Sequence, residues 1–274
     1  LEARLWDCKP EDEAQYSKNM LVKVQGSVAE WQGKKQIKID RIRPAEQRDG
    51  VRIEDFVPVA PFTAEELYAE LEGYIQKISY PELRKTVQLI ISDAGIKLLT
   101  HPAAVQNHHS VRSGLLYHTV TMLKAAEKLL EIYSFLDRDL LFAGIILHDM
   151  AKLEEFEANE LGLAEEYTFE GQMLGHIVQG VKRIAKAAAT VGLDQETSIL
   201  LEHMILAHHY EPEFGSPKRP MIPEAEMLHY LDILDARMFD MQKALNKVSE
   251  GEFTDRIWIL NNRKLYRAKR CQQD

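Results

Sequence analysis

The run Leu140-Leu141-Phe142-Ala143-Gly144-Ile145-Ile146-Leu147 ends in His148-Asp149, and this junction constrains the fold more than any other stretch. An unbroken apolar run suits a buried helix, because a surface helix shows polar residues every third or fourth position. An imidazole and a carboxylate that close such a helix are drawn towards the interior with it. Burying them is costly unless something pairs with them. A divalent metal is the usual partner, since it takes neutral imidazole nitrogen and ionised carboxylate oxygen together. The junction therefore predicts a helical domain built around a metal, and with His176, His203, His208, His209, Asp232 and Asp235 downstream the working expectation is a metal-dependent hydrolase.

Bulk composition is compatible with that expectation. A chain of 274 residues allows one large domain or two unequal ones. Its 45% hydrophobic and 28% charged content is that of a globular protein. No apolar run approaches the ~20 residues that span a bilayer, so no membrane partner is expected. Cys8 and Cys271 stand at opposite ends in no metal or disulfide spacing, which fits a reducing cytoplasm. The net charge of −9 argues against a protein that coats nucleic acid through overall positive potential. It does not exclude a nucleic-acid enzyme, because bound metal adds positive charge that side-chain counts omit. Basic residues also cluster at Lys34, Lys35, Lys38, Arg41 and Arg43, at Lys218-Arg219, and from Arg263 to Arg270.

Residues 1–60 read as β. Leu1, Ala3 and Leu5 alternate with Glu2, Arg4 and Trp6, and β-rich runs at 20–28 and 35–42 flank a turn at Trp31-Gln32-Gly33. About three strands make a poor isolated sheet, and the chain starts within one, so further strands are expected upstream. From Pro61 the pattern is helical. Thr63 and Glu66 form a capping box ahead of Leu67, Leu71 and Ile75 on one face. Pro81 suits the first turn of a second helix ending near Asp93-Ala94-Gly95. Further helices are expected over 96–107, 115–134, 138–152, 170–190, 194–209 and 223–247, with an irregular loop between the last two. The division is thus 1–60 and 61–274.

The helical half carries His118, His148-Asp149, His176, His208-His209, Asp232 and Asp235 on different predicted helices or at their ends. Lys152 lies three and four residues after Asp149 and His148, so it overlooks the same point and could hold a phosphate oxygen. Asp149, with two oxygens, could bridge two ions. His203 is read as helix packing, His101 as a surface residue, and His229 as structural.

The order His118, His148-Asp149, Asp232 resembles the metal-binding signature of the HD superfamily of phosphohydrolases. His176 with His208-His209 resembles its binuclear branch. Longer stretches resemble the YhaM-type bacterial 3′–5′ exoribonucleases: Asn107-His108-His109, Ser113-Gly114-Leu115-Leu116-Tyr117-His118, and Gly144-Ile145-Ile146-Leu147-His148-Asp149-Met150-Ala151-Lys152. Leu174-Gly175-His176-Ile177, Ala207-His208-His209, Gly215-Ser216-Pro217-Lys218 and Leu228-His229-Tyr230-Leu231-Asp232-Ile233-Leu234-Asp235-Ala236 extend the likeness.

That resemblance implies a mainly α protein, a helical HD-type phosphohydrolase domain preceded by a partial, OB-fold-like β segment that lacks its opening strands. It implies His118, His148, Asp149 and Asp232 as ligands of one metal and His176, His208 and His209 as those of a second. Helical spacing alone lets either Asp232 or Asp235 face inward; the motif selects Asp232 and leaves Asp235 behind the ligands or beside substrate. Lys152 and Asp149 become the catalytic residues, His108 and His109 fall near the pocket mouth, and Lys218 lies on the substrate side. The cofactor implied is a pair of divalent ions, Mn²⁺ ahead of Fe, Co or Mg. The partner implied is single-stranded RNA, with single-stranded DNA unseparated from it, since nothing identifies a 2′-hydroxyl reader. Trp31 and its neighbouring lysines are either a base-stacking platform or a solvated hairpin tip.

Two rival classes carry discriminating features. A phosphodiesterase or phosphatase acting on a small or cyclic nucleotide would use the same ligands but needs no OB module. A non-catalytic nucleic-acid-binding regulatory module would have lost part of the ligand set, which is complete here.

Overall fold

The computed structural model describes residues 1–9, 11, 15–17, 19–31, 33–105, 109–159 and 161–269. The expectation for His108 lies outside these residues, and the side chain of Trp31 is likewise not described. The chain forms two compact units, Leu1–Val57 and Pro58–Asp274.

The first unit is a three-stranded sheet in the order β1-β3-β2. A long antiparallel hairpin of β2 (Val22–Trp31) and β3 (Lys34–Pro44) forms most of it, and the short β1 (Glu2–Arg4) adds to β3 in parallel. The register shifts between Gln25 and Gly26, where a Cβ on Gly26 would lie 2.1 Å from the Lys38 carbonyl oxygen. Only glycine allows so close an approach of backbone to backbone. Past the strands, Asp49 receives the Arg43 guanidinium at 2.7 and 2.8 Å and Lys23 at 2.6 Å, which ties the following turn to both long strands.

The second unit is helical and holds nearly all of the buried apolar side chains. Its centre is α4 (Arg138–Leu147), in which every residue from Leu140 to Leu147 is buried. Around it pack α1 (Ala64–Lys77), α2 (Pro81–Ala94), α3 (Gly114–Leu130), α7 (Gln195–Ala207) and α8 (Pro223–Leu245). The Phe142 ring meets Tyr74 edge-on at 5.4 Å, an arrangement that adds to simple area burial. Gly144 lets the sulfur-bearing end of Met204 approach, since a Cβ there would sit 2.2 Å from its terminal methyl. No described helix is long and apolar enough to cross a membrane.

The capping box forms as expected: Thr63 Oγ accepts the Glu66 N–H and the Glu66 carboxylate accepts the Thr63 N–H. Pro81 opens α2 and Gly95, at φ 56°, closes it. Three expectations are corrected. Over 96–107 the described chain makes a short 3₁₀ turn, Gly95–Leu99, and no α-helix, because Pro102 cannot continue one and removes a donor. The helix expected over 138–152 stops at Leu147, turns through His148–Ala151, and restarts as α5 (Lys152–Glu155). Between α5 and α6 (Phe169–Val191) runs a small antiparallel pair, β4 (Phe156–Ala158) and β5 (Ala164–Tyr167), that periodicity did not foresee.

Thr63→Ala should lower the stability of the helical unit by about 1 kcal/mol, the usual worth of such a cap. Thr63→Ser should restore most of it. A thermal melt followed by circular dichroism checks both.

Candidate metal centre

Five histidines meet at the end of α4, and each arrives with its Nδ1 already engaged. His148 follows the last residue of α4 and donates Nδ1–H to the Ile145 carbonyl at 2.7 Å. His208 follows the last residue of α7 and repeats that contact with Ile205, also at 2.7 Å. His209 donates to the Phe214 carbonyl at 2.6 Å. His118, in the first turns of α3, donates to Asp235 Oδ2 at 2.6 Å. His176, in α6, donates to the Glu155 carboxylate at 3.0 and 3.1 Å. All five partners can only accept, so the proton is fixed on Nδ1 and the lone pair on Nε2. That is how a histidine is prepared for a metal.

Asp149 stands between them. Its Oδ2 lies 3.3 Å from His148 Nε2 and 2.7 Å from the Lys152 ammonium. Its Oδ1 lies 3.5 Å from His176 Nε2 and 3.9 Å from His208 Nε2. His118 Nε2 is 3.3 Å from Asp232 Oδ1. The ligand-type atoms of His118, His148 and Asp149 lie within 4.8 Å of one another, as do those of His176, His208 and His209. Among the described residues, the Nε2 atoms of His148, His176 and His208 and the Oδ1 of Asp149 are buried yet make no hydrogen bond. Leaving buried acceptors unsatisfied costs about 1–3 kcal/mol each. A donor set of imidazole nitrogen and carboxylate oxygen facing a common point is what a divalent cation takes, so the residues fit a metal.

Burial and neighbouring charges set the protonation of these groups. Burial should raise the Asp149 carboxyl, but the Lys152 ammonium and His148 hold it well below the usual carboxylate range. Burial likewise opposes the charge on Lys152, and the adjacent Asp149 outweighs it and raises its pKa. Burial pushes His208 well below the ordinary imidazole value, which keeps it a neutral donor. His118 is the exception: hydrogen bonds to Asp232 and Asp235 overcome burial and carry it up to about 10, so between these two carboxylates its Nε2 carries a proton that a metal there would have to displace. Asp235 is held down to about 2 despite burial by its bonds to His109 and His118.

Two features come from elements far apart in sequence. Glu155, at the end of α5, went unremarked in the sequence because nothing in its spacing connects it to a histidine on the next long helix. Gly175 makes the connection: at φ 69° and ψ 163° it breaks α6 in a region open to glycine alone. The break releases the His176 N–H from the helix ladder, and it donates to Glu155 Oε1 at 3.0 Å. His109, expected at the pocket mouth, is instead buried, with its Nε2 2.7 Å from the same Asp235 oxygen that holds His118. Its ring lies on Phe239 at 4.0 Å between centroids.

The remaining residues are less central. Lys218 is exposed, and among the described residues no hydrogen bond or ion pair ties it to the centre. His203 accepts the Met221 N–H at 2.9 Å, a packing role. His229 donates to the His208 carbonyl at 2.7 Å and so braces that turn. His101 corrects the surface expectation: it is buried, its ring nitrogens 2.9 Å from the Pro102 carbonyl and 3.2 Å from that of Phe156.

Residues 115–237 match the HD domain family, which implies dependence on a divalent metal. Over 267 residues the chain is 42% identical to the 3′-5′ exoribonuclease YhaM of Bacillus licheniformis, covering 97% of this chain and 84% of that protein. It is 44% identical to the protein of the same name from Geobacillus sp. (strain WCH70), over 97% of this chain and 82% of the relative. With that of Bacillus subtilis (strain 168) the identity is 41%, over 97% and 84%. No solved structure matches the chain. At this identity and coverage, the chain belongs to the family of YhaM 3′-5′ exoribonucleases.

Proposed function

We propose that the protein is a metal-dependent phosphodiester hydrolase that removes nucleotides from the 3′ end of single-stranded RNA. One observation carries the reading: the two oxygens of Asp149 face different histidines, His148 on one side and His176 with His208 on the other. A carboxylate so placed can bridge two ions, the arrangement that serves in-line displacement at phosphorus. The name of the relatives supports the substrate and the direction of attack.

In this reading His118, His148, Asp149 and Asp232 would hold one ion, and Asp149, His176, His208 and His209 would hold the other. Mixed nitrogen and oxygen donors suit Mn²⁺ and accept Fe, Co or Mg. When bound, the ions supply Lewis acidity and charge neutralisation at the phosphodiester. Lys152, whose buried ammonium donates to Asp149, would add a compact positive charge beside the scissile phosphate and stabilise the negative charge that grows as the bond to the leaving oxygen lengthens. Asp235 and Glu155 hold the imidazoles of His118 and His176 in the orientation that presents Nε2. The sheet of the first unit is read as part of an OB-fold-like module that binds the strand through its lysines.

The reading is tested by Asp149→Ala, which should empty the site of metal, measured by mass spectrometry, and abolish release of nucleotides from 5′-labelled RNA. Hydrolysis above a few percent of the parent overturns it, and a parent that prefers a cyclic dinucleotide to RNA moves the protein to a different substrate class. Asp232→Asn should strip metal far more than Asp235→Asn. The latter weakens affinity only through the orientation of His118, an effect of tenfold to hundredfold in comparable sites. The reverse order in a metal titration would exchange their roles. Glu155→Ala should loosen one of the two ions by about the same factor, seen as a fall in stoichiometry from two towards one at limiting metal.

A further inference from the structure

Beyond α8 the chain folds back as a hairpin that the metal centre does not use. The Thr254 N–H donates to the Leu265 carbonyl and the Leu265 N–H to the Thr254 hydroxyl, while the Gly251 N–H donates to the Arg267 carbonyl and the Ile257 N–H to that of Arg263. The tip turns at Asn261 and Asn262, with φ 59° and 56°, a left-handed pair that asparagine tolerates. Leu260 and Thr254 are buried and anchor the hairpin. The Arg267 guanidinium donates to the Leu245 carbonyl at 3.2 Å and to that of Val248 at 2.8 Å, and so fastens it to the end of α8.

Its outer surface combines two features. Residues 251–269 hold Arg256, Arg263, Lys264, Arg267 and Lys269 against Glu252 and Asp255, a local positive excess in a chain whose net charge is −9. Arg263, Lys264 and Lys269 are exposed, and no hydrogen bond or ion pair engages their side chains among the described residues. Interleaved with them are large exposed rings: Trp258 is 84% exposed, Phe253 62% and Tyr266 48%. Phe253 and Tyr266 lie against each other at 4.9 Å. Rings standing in water beside cations that have no partner among the described residues are the two halves of a single-strand binding surface, because phosphates take the charges and unpaired bases take the ring faces. An acidic protein surface would satisfy the charges and leave the rings in water, and a duplex would hide its base faces.

We propose that this hairpin is a grip for single-stranded nucleic acid, placed to hold the strand whose end occupies the metal centre. The inference deepens the nuclease reading and rests on it for the identity of the strand. From Asp235 to Leu245, where Arg267 fastens the hairpin, α8 spans roughly 15 Å at 1.5 Å per residue.

The experiment uses the full chain with two variants, Trp258→Ala and the double Arg263→Gln, Lys264→Gln. Binding of fluorescein-labelled single-stranded oligonucleotides, one arm RNA and one DNA, is followed by anisotropy in EDTA over a range of salt. Trp258→Ala should weaken binding about tenfold, in keeping with loss of one stacked base. The double variant should reduce the slope of log affinity against log salt by about 1.4, since each phosphate contact on a single strand contributes about 0.7. Unchanged melting temperatures and unchanged hydrolysis of bis(p-nitrophenyl) phosphate by the metal-loaded protein would show that fold and centre are intact. Loss in either oligonucleotide arm supports the grip. Parental affinity and slope in both variants overturn it, and if light scattering then shows lost self-association, the surface belongs to a second copy. A parent that binds RNA through the hairpin but does not cleave it would overturn the nuclease reading and leave the grip standing.

Discussion

The helical unit is organised around a carboxylate in the wrong solvent. Asp149 is buried, and an ionised group there costs several kcal/mol in lost hydration that only close, oriented partners can offset. Lys152, a single turn away, supplies one such partner. Removing it would leave an uncompensated buried charge, a loss of about 3–5 kcal/mol in comparable pairs. The imidazoles of His148, His176 and His208 gather around the other side. The apolar length of α4 drives the junction inward, and the rest of the unit supplies what the junction then requires.

Helix ends do much of that work. The last carbonyls of a helix lack an intrahelical donor, and α4 and α7 resolve this identically. The histidine after each final residue turns back and gives its Nδ1–H to the carbonyl three residues earlier. One hydrogen bond thus completes the helix and selects the tautomer that leaves Nε2 bare. His229 adds a brace from α8 by donating to the His208 carbonyl, so the turn is held from both sides. Orientation here comes from backbone groups, which move little, and this keeps a five-imidazole site in register.

The other two histidines are held by carboxylates. Asp235 serves His118 and His109 with one oxygen, and Glu155 serves the ring and the backbone of His176. The second arrangement depends on a glycine: without the break at Gly175, the His176 N–H would belong to the α6 ladder. Close approach recurs where α6 begins, since a Cβ on Gly171 would meet the Glu155 carbonyl at 1.9 Å. Two glycines therefore let α6 wrap the residue that orients its own histidine.

Much of this was legible in the sequence. The apolar run before His148-Asp149 announces a buried helix, Thr63 with Glu66 and Pro81 mark helix starts, and the spacing of His118, His176 and the pair His208-His209 puts them on three elements. Only three are involved, because His208 and His209 are neighbours on the turn after α7. These are local signals, and local physics sets them: periodicity, capping and the missing N–H of proline. Tertiary structure alone decided the rest. The run 96–107 has apolar residues enough for a helix, yet beyond the 3₁₀ turn Pro102 and the docking of His101 under Phe156 hold its described residues irregular. Whether Asp232 or Asp235 confronts the Nε2 of His118 depends on how α8 is rotated against α3, and their common periodicity is silent on that. Glu155 and His109 acquire meaning only through partners 21 and 126 residues away. Sequence records which groups a chain carries and how each segment prefers to fold; which buried donor meets which acceptor is settled when the helices pack.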